Sequence, residues 1–131
     1  MKWSIFPLIV LMVVCSSCNS KTLFNDYTEF DNNQWSVHDK VVYDVDIQDT
    51  VHATNLYLNF RHATFYPYSN IYVFLKTTFP NGQVFTDTIG HTLQENGAWK
   101  GDGAGDMWDN RILFNTFKFE KAGTYRFEIE Q

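Results

Sequence analysis

Apolar and polar residues alternate with a period of two along most of the chain beyond residue 40. Val41, Tyr43, Val45 and Ile47 are separated by Val42, Asp44 and Asp46, and Leu56, Leu58 and Phe60 by Tyr57 and Asn59. Ile71, Val73, Leu75, Thr77 and Phe79 follow, then Tyr125, Phe127 and Ile129 between Thr124, Arg126, Glu128 and Glu130. Such alternation is what a strand with one buried face requires. Pro80-Asn81-Gly82 predicts a tight connection from the 71–79 strand to a returning partner over 83–89, with Gly82 free to take positive φ. Residues 112–120 read as a further strand, and Ala122-Gly123 as the turn that joins it to the last one. The best helical candidate is a turn or two over 91–96, ended by Gly97. Six short strands separated by turn signals predict an all-β fold, a single antiparallel β-sandwich of jelly-roll or immunoglobulin-like type. The chain stops inside the pattern of its last strand. Either that strand lies at a sheet edge, or a further C-terminal element is lacking.

The N-terminus follows a different rule. Lys2 precedes ten apolar residues at 5–14, and Cys15-Ser16-Ser17-Cys18 comes directly after them. Ten residues of helix reach about 15 Å, half of a hydrocarbon core, so the segment reads as a signal peptide and not a permanent span. The cysteine at the cleavage point resembles the lipobox of bacterial lipoproteins. Cutting before Cys18 places small Ser17 at the scissile position, where cutting before Cys15 would place bulky Val14. The expected organisation is therefore a lipoprotein signal peptide at 1–17, a lipidated Cys18 with a tether over 18–34, and a β-sandwich domain over 35–131. The competing reading is an ordinary signal peptide that leaves Cys18 as a free thiol. The tether is polar with isolated aromatics, and Phe24, Tyr27 and Phe30 are its candidates for docking on the domain.

Loss of residues 1–17 leaves 114 residues, enough for one core, with nine Lys and Arg against fifteen Asp and Glu. A net charge near −6 argues against nucleic acid as a partner. Cys18 is then the one remaining cysteine, so stability rests on packing, to which an aromatic content of 18% contributes heavily. The four histidines share no zinc-ligand spacing, no hydrolase, phosphate-loop or dinucleotide motif occurs, and no cofactor is expected.

Two segments stand out chemically. In 99–109, Trp99 and Trp108 bracket three glycines and the carboxylates Asp102, Asp106 and Asp109. Three carboxylates can contribute to a calcium site, but their spacing departs from the EF-hand loop. The better reading is a glycine-rich connection held at its ends by the two tryptophans. In 61–70, Arg61 precedes Tyr66-Pro67-Tyr68, and Tyr66, Tyr68 and Tyr72 can form an aromatic platform on which a sugar stacks. Against this stands a structural reading, in which Pro67 sets a bend and the tyrosine rings close the edge of the core. Arg61, Tyr66, Tyr68, Trp99 and Trp108 are accordingly the candidate ligand or partner surface.

The ordered set Leu56-Tyr57-Leu58-Asn59-Phe60-Arg61-His62, Tyr66-Pro67-Tyr68-Ser69-Asn70-Ile71, Phe79-Pro80-Asn81-Gly82, Asp87-Thr88, Gly97-Ala98-Trp99-Lys100-Gly101 and Ala122-Gly123-Thr124-Tyr125 resembles the GldH gliding-motility lipoproteins of Bacteroidota. The resemblance implies a non-enzymatic lipoprotein of the cell envelope, facing the periplasm and anchored in the outer membrane. Its partners would be envelope proteins of the gliding apparatus, whose wider machinery is linked to type IX secretion, docking on an acidic surface or an exposed strand edge. It brings no catalytic residues. The alternative from another class is a glycan- or peptide-binding periplasmic lipoprotein using the aromatic surface.

Overall fold

The computed structural model describes residues 21–131; the signal peptide and Cys18 lie outside them. Nine strands follow one short 3-10 turn at Asp31–Asn33 (η1): β1 Val41–Ile47, β2 Ala53–Ala63, β3 Asn70–Thr78, β4 Val84–Thr92, β5 Gln94–Glu95, β6 Ala98–Trp99, β7 Asp102–Ala104, β8 Met107–Lys118 and β9 Gly123–Glu130. They form a four-stranded sheet ordered β1-β9-β3-β4, a three-stranded sheet ordered β2-β8-β7, and the small β5-β6 ribbon. All pairings are antiparallel. The two larger sheets share one core, with Val45, Ile71, Val73, Leu75, Tyr125 and Phe127 from one and Ile112 and Phe114 from the other. The fold is an antiparallel β-sandwich, and all six expected strands are present.

Two expectations are corrected. Residues 91–96 are not helical. They carry the end of β4 and all of β5, and Asn96 and Gly97 turn the chain into β6 with φ of 50° and 78°. Positive φ at both central residues is the geometry of a type I′ hairpin, for which Asn-Gly is a preferred pair. The last strand also lies at no edge, because β9 sits between β1 and β3. Tyr125, Phe127 and Ile129 face the core between the sheets and are all buried. The Ala122-Gly123 connection does join β8 to β9, but it carries the chain from one sheet to the other.

Local chemistry sets the connections. Gly82 takes φ +85° and donates its N–H to the Phe79 carbonyl (2.9 Å), while Phe79 donates to Gln83 (2.8 Å), closing the β3–β4 hairpin around Pro80 and Asn81. In β8 one extra residue falls opposite Leu56 and Tyr57, which pair with Asn115 and Leu113 respectively. This bulge switches the phase of the strand: Ile112 before it and the extra residue Phe114 face the core, and Phe117 packs against the core after it. The tether docks. Leu23 and Phe30 pack against the core, Phe24 lies 5.5 Å from the Tyr43 ring, and Thr28 Oγ1 is 2.7 Å from the Tyr43 hydroxyl. Tyr27 stays in solvent.

The sheet crossing is held by Tyr125, whose hydroxyl donates to the Lys121 carbonyl at 2.8 Å while its ring meets Phe119 at 4.8 Å and Phe79 at 5.3 Å. Tyr125→Phe should cost about 1 kcal/mol through the lost hydrogen bond, and Tyr125→Ala about 4 kcal/mol through the cavity. Urea-unfolding midpoints check both values, and equal losses would show that the hydroxyl dominates.

In the β1–β2 connection, Asp49 accepts backbone N–H groups from His52 (3.0 Å) and Val51 (2.9 Å) and lies 2.9 Å from His52 Nδ1. These bonds, the His52 backbone one first, lower its pKa from 3.8 to about 2. A depressed folded pKa stabilises the fold above the unfolded value and is lost as pH falls through the folded one. The stability gap between the parent chain and Asp49→Asn should therefore be full at neutral pH and shrink between about pH 4 and pH 2. Denaturant titrations at pH 7, 4 and 2 measure it; a gap independent of pH would mean that the carboxylate charge plays no part.

Candidate functional site

Besides the rings around Tyr125, a second aromatic cluster gathers about His62. Inward phase on β2 brings Phe60 and His62 to the core side, and the bend after β2 returns Tyr66 and Tyr68 beside them. The His62 ring lies 5.9 Å from Phe60, 5.5 Å from Tyr66 and 4.7 Å from Trp99, and Tyr66 meets Tyr68 at 5.7 Å. Tyr66 is half-buried, and burial, followed by the charge of Tyr68, raises its phenol pKa. His62 is buried with Nδ1 3.0 Å from the Ala63 carbonyl oxygen. A carbonyl only accepts, so Nδ1 carries the proton and Nε2 faces inward without a protein partner. Asn110, also buried, has Oδ1 3.4 Å from His91 Nε2 and an unpartnered Nδ2. His62 lies against Trp99 of the β5-β6 ribbon, and Asn110 pairs separately with His91 at the end of β4.

The structure divides the sequence-derived residues. Tyr66, Tyr68 and Trp99 belong to one aromatic cluster through His62. Arg61 does not join them, because its odd position places it on the outer face of the three-stranded sheet. There it opposes Asp109 in register and grips it with two bonds, Nε–Oδ1 at 2.6 Å and Nη2–Oδ2 at 2.9 Å. That fork holds the Asp109 carboxyl below its usual range. Trp108 lies across Gly103, its register partner; a Cβ there would sit 2.9 Å from the indole ring. Asp102 pairs with Asp109 in register and Asp106 occupies the β7–β8 turn with Gly105. Among the described residues, no three His, Cys, Asp or Glu side chains are gathered closely enough to hold a metal ion.

The 99–109 segment thus carries the end of β6 at Trp99 and then the β7–β8 hairpin, with close approaches at Gly101 and Gly103. Gly101 is the tightest, with φ +89° and the Asp109 carbonyl oxygen 2.2 Å from where a Cβ would be. Gly82 has a similar φ of +85° and open space around it. Reasoning from sequence missed Asn110 and the inward role of His62. The phase of each was available: both fall on the inner side of a strand whose neighbours are apolar.

A family comparison covers the same elements, with residues 22–131 matching the model of the GldH lipoproteins. The chain belongs to the GldH lipoprotein family. It is 29% identical over 131 residues to a protein named "Gliding motility lipoprotein GldH homolog" from Christiangramia forsetii, covering 98% of this chain and 80% of the relative. It is 25% identical over 126 residues to the gliding motility lipoprotein GldH of Flavobacterium johnsoniae, covering 95% of this chain and 77% of the relative. No solved structure matches. The family is one of lipoproteins, which places this member at a membrane of the cell envelope.

Gly101→Ala should cost about 3 kcal/mol, combining left-handed strain with displacement of the Asp109 backbone, whereas Gly82→Ala pays only the strain, about 1 kcal/mol. Urea midpoints for the two variants decide it; equal losses would show that the close approach at Gly101 is unimportant.

Proposed function

We propose that this chain is a non-enzymatic, lipid-anchored accessory or assembly component of the gliding machinery, working beside the type IX secretion apparatus. Signal peptidase cleavage after residue 17 leaves Cys18 to carry the lipid, and the anchor lies in the outer membrane with the domain facing the periplasm. The observation that carries the reading is the family match over residues 22–131, supported by two relatives whose names refer to gliding motility.

The physics of the arrangement agrees. One acyl chain binds a bilayer marginally, whereas the several chains of a lipoprotein hold it for good. A short tether then keeps the domain concentrated next to membrane partners, so a modest interface suffices. Because the tether packs on the domain from Leu23 onward, only the few residues after Cys18 separate the fold from the membrane surface. The domain would sit close to the bilayer, with little freedom to reach across the periplasm.

Replacement of the chromosomal copy with Cys18→Ala in the native host tests the tether. The variant should fold with an unchanged urea midpoint, leave the membrane fraction and lose function in colony-spreading and secretion assays. Full spreading by a soluble form would refute the requirement for an anchor.

A further inference from the structure

The outer face of the β1-β9-β3-β4 sheet is split into two halves. On the β1–β9 half the charges bind one another. Arg126 forks onto Asp44 with two bonds of 2.8 Å, and Lys40 bridges Glu128 (3.3 Å) and Glu130 (2.7 Å). Lys76 reaches from β3 back to Glu128 at 3.0 Å. On the β3–β4 half the remaining outward positions are uncharged: Tyr72 and Phe74 on β3 with Gly90 and Thr88 opposite them, Asn70 and Thr78 at the strand's ends, and Val84, Thr86 and Thr92 on β4. Tyr72 and Phe74 are 59% and 48% exposed in a phase that solvent normally reserves for polar side chains.

Gly90 explains how Tyr72 lies. A Cβ at Gly90 would fall 2.8 Å from Tyr72 Cε1, 3.2 Å from Cδ1 and 3.5 Å from Cζ. That edge of the ring therefore packs over the Gly90 backbone, and the rest of Tyr72, 59% exposed, faces solvent. A groove of about 330 Å³ continues past Tyr72, lined by Val37, Tyr66, Tyr68, Asn70 and Gln131. The strip therefore runs from Phe74 through Tyr72 to Tyr68, rimmed by threonine hydroxyls and two side-chain amides.

We propose that this strip binds a neutral polysaccharide chain. The negative face of an aromatic ring attracts the polarised C–H bonds on the flat side of a sugar ring. Amides and hydroxyls beside it can exchange hydrogen bonds with sugar hydroxyls, the pattern of an apolar surface with a few polar groups that fix orientation. A charged ligand finds no counter-charge here, since the nearby Lys76 and Glu128 neutralise each other. A protein partner or second copy is a poorer fit. Three rings on a flat strip fall short of the roughly 800 Å² per partner that a stable protein interface buries. The reading is independent of the gliding assignment and stands or falls on its own measurement.

Affinity electrophoresis of the full chain in detergent, through gels containing β-1,3-glucan, xyloglucan or galactomannan, tests it. At least one polymer should retard the chain. Tyr72→Ala and Phe74→Ala should each weaken retention about tenfold, and Tyr72→Phe should preserve it, because stacking uses the ring and not the hydroxyl. Gly90→Ala keeps both rings but lifts Tyr72 off the sheet, and should weaken retention while the thermal midpoint stays within a few degrees. That variant separates a binding role from mere cover for the glycine. No retention by any of the three polymers, or retention indifferent to Tyr72→Ala, overturns the proposal. Sedimentation showing self-association abolished by Tyr72→Ala would assign the strip to a second copy and overturn it equally.

Discussion

The architecture depends on the passage of the chain from β8 into β9. At that point one sheet hands over to the other, and Tyr125 fixes the angle of the handover by bonding its hydroxyl to Lys121 in the connection and wedging its ring between Phe119 and Phe79. Because β9 then enters the middle of the four-stranded sheet, it supplies ladder partners to β1 along its whole length and to half of β3. Every inward residue of β9 is consequently walled on both sides. A buried tyrosine with a satisfied hydroxyl is well suited to this post, since the ring contributes core area and the hydroxyl specifies one geometry.

Alternation made β1, β3 and β9 legible, since each keeps one phase from end to end and buries one face. β8 was harder to read, because its bulge changes the phase between Phe114 and Phe117 and no single alternation covers it. The strand consequently looked shorter than it is: its first three residues were absorbed into the glycine-rich segment, and Asn110 and Arg111 were assigned to neither. The Asn96-Gly97 turn was misread for a related reason. A glycine after a polar run signals a helix end as readily as a hairpin, and only the pairing of Gln94 with Trp99 distinguishes them. Sheet order was out of reach, because alternation shows that a strand has one buried face and not who its neighbours are.

The candidate residues follow the same logic. Arg61 and His62 are adjacent in sequence but lie on opposite faces of β2, so a surface that included Arg61 together with Tyr66 was excluded by strand geometry once β2 extended to Ala63. Trp108 does hold one end of its segment, as read, though by lying over Gly103 and not by lining a cleft. Tyr72 was noticed for its neighbours Tyr66 and Tyr68. The sharper sign was its outward phase, coupled with a glycine inside the partner strand. Glycine in a strand marks close approach by something, and here the something is the ring.

The edges and the faces of this sandwich are treated differently. On β4, the outer edge of the larger sheet, Asp87 is the register partner of buried Leu75 and so points inward, a device that discourages another strand from adding there. The opposite edge strand, β1, is flanked by the docked tether, with Phe24 and Thr28 against Tyr43. The smaller sheet ends in β7, three residues long and tied into a tight hairpin. Recognition through strand addition is therefore discouraged at both edges of the larger sheet, while β2, the eleven-residue outer strand of the smaller sheet, keeps its far edge unpaired among the described residues. The face of the four-stranded sheet carries no comparable guard. Its charged half is closed by its own ion pairs, and its aromatic half is left as a surface where burial against a ligand would gain free energy without first breaking an existing bond.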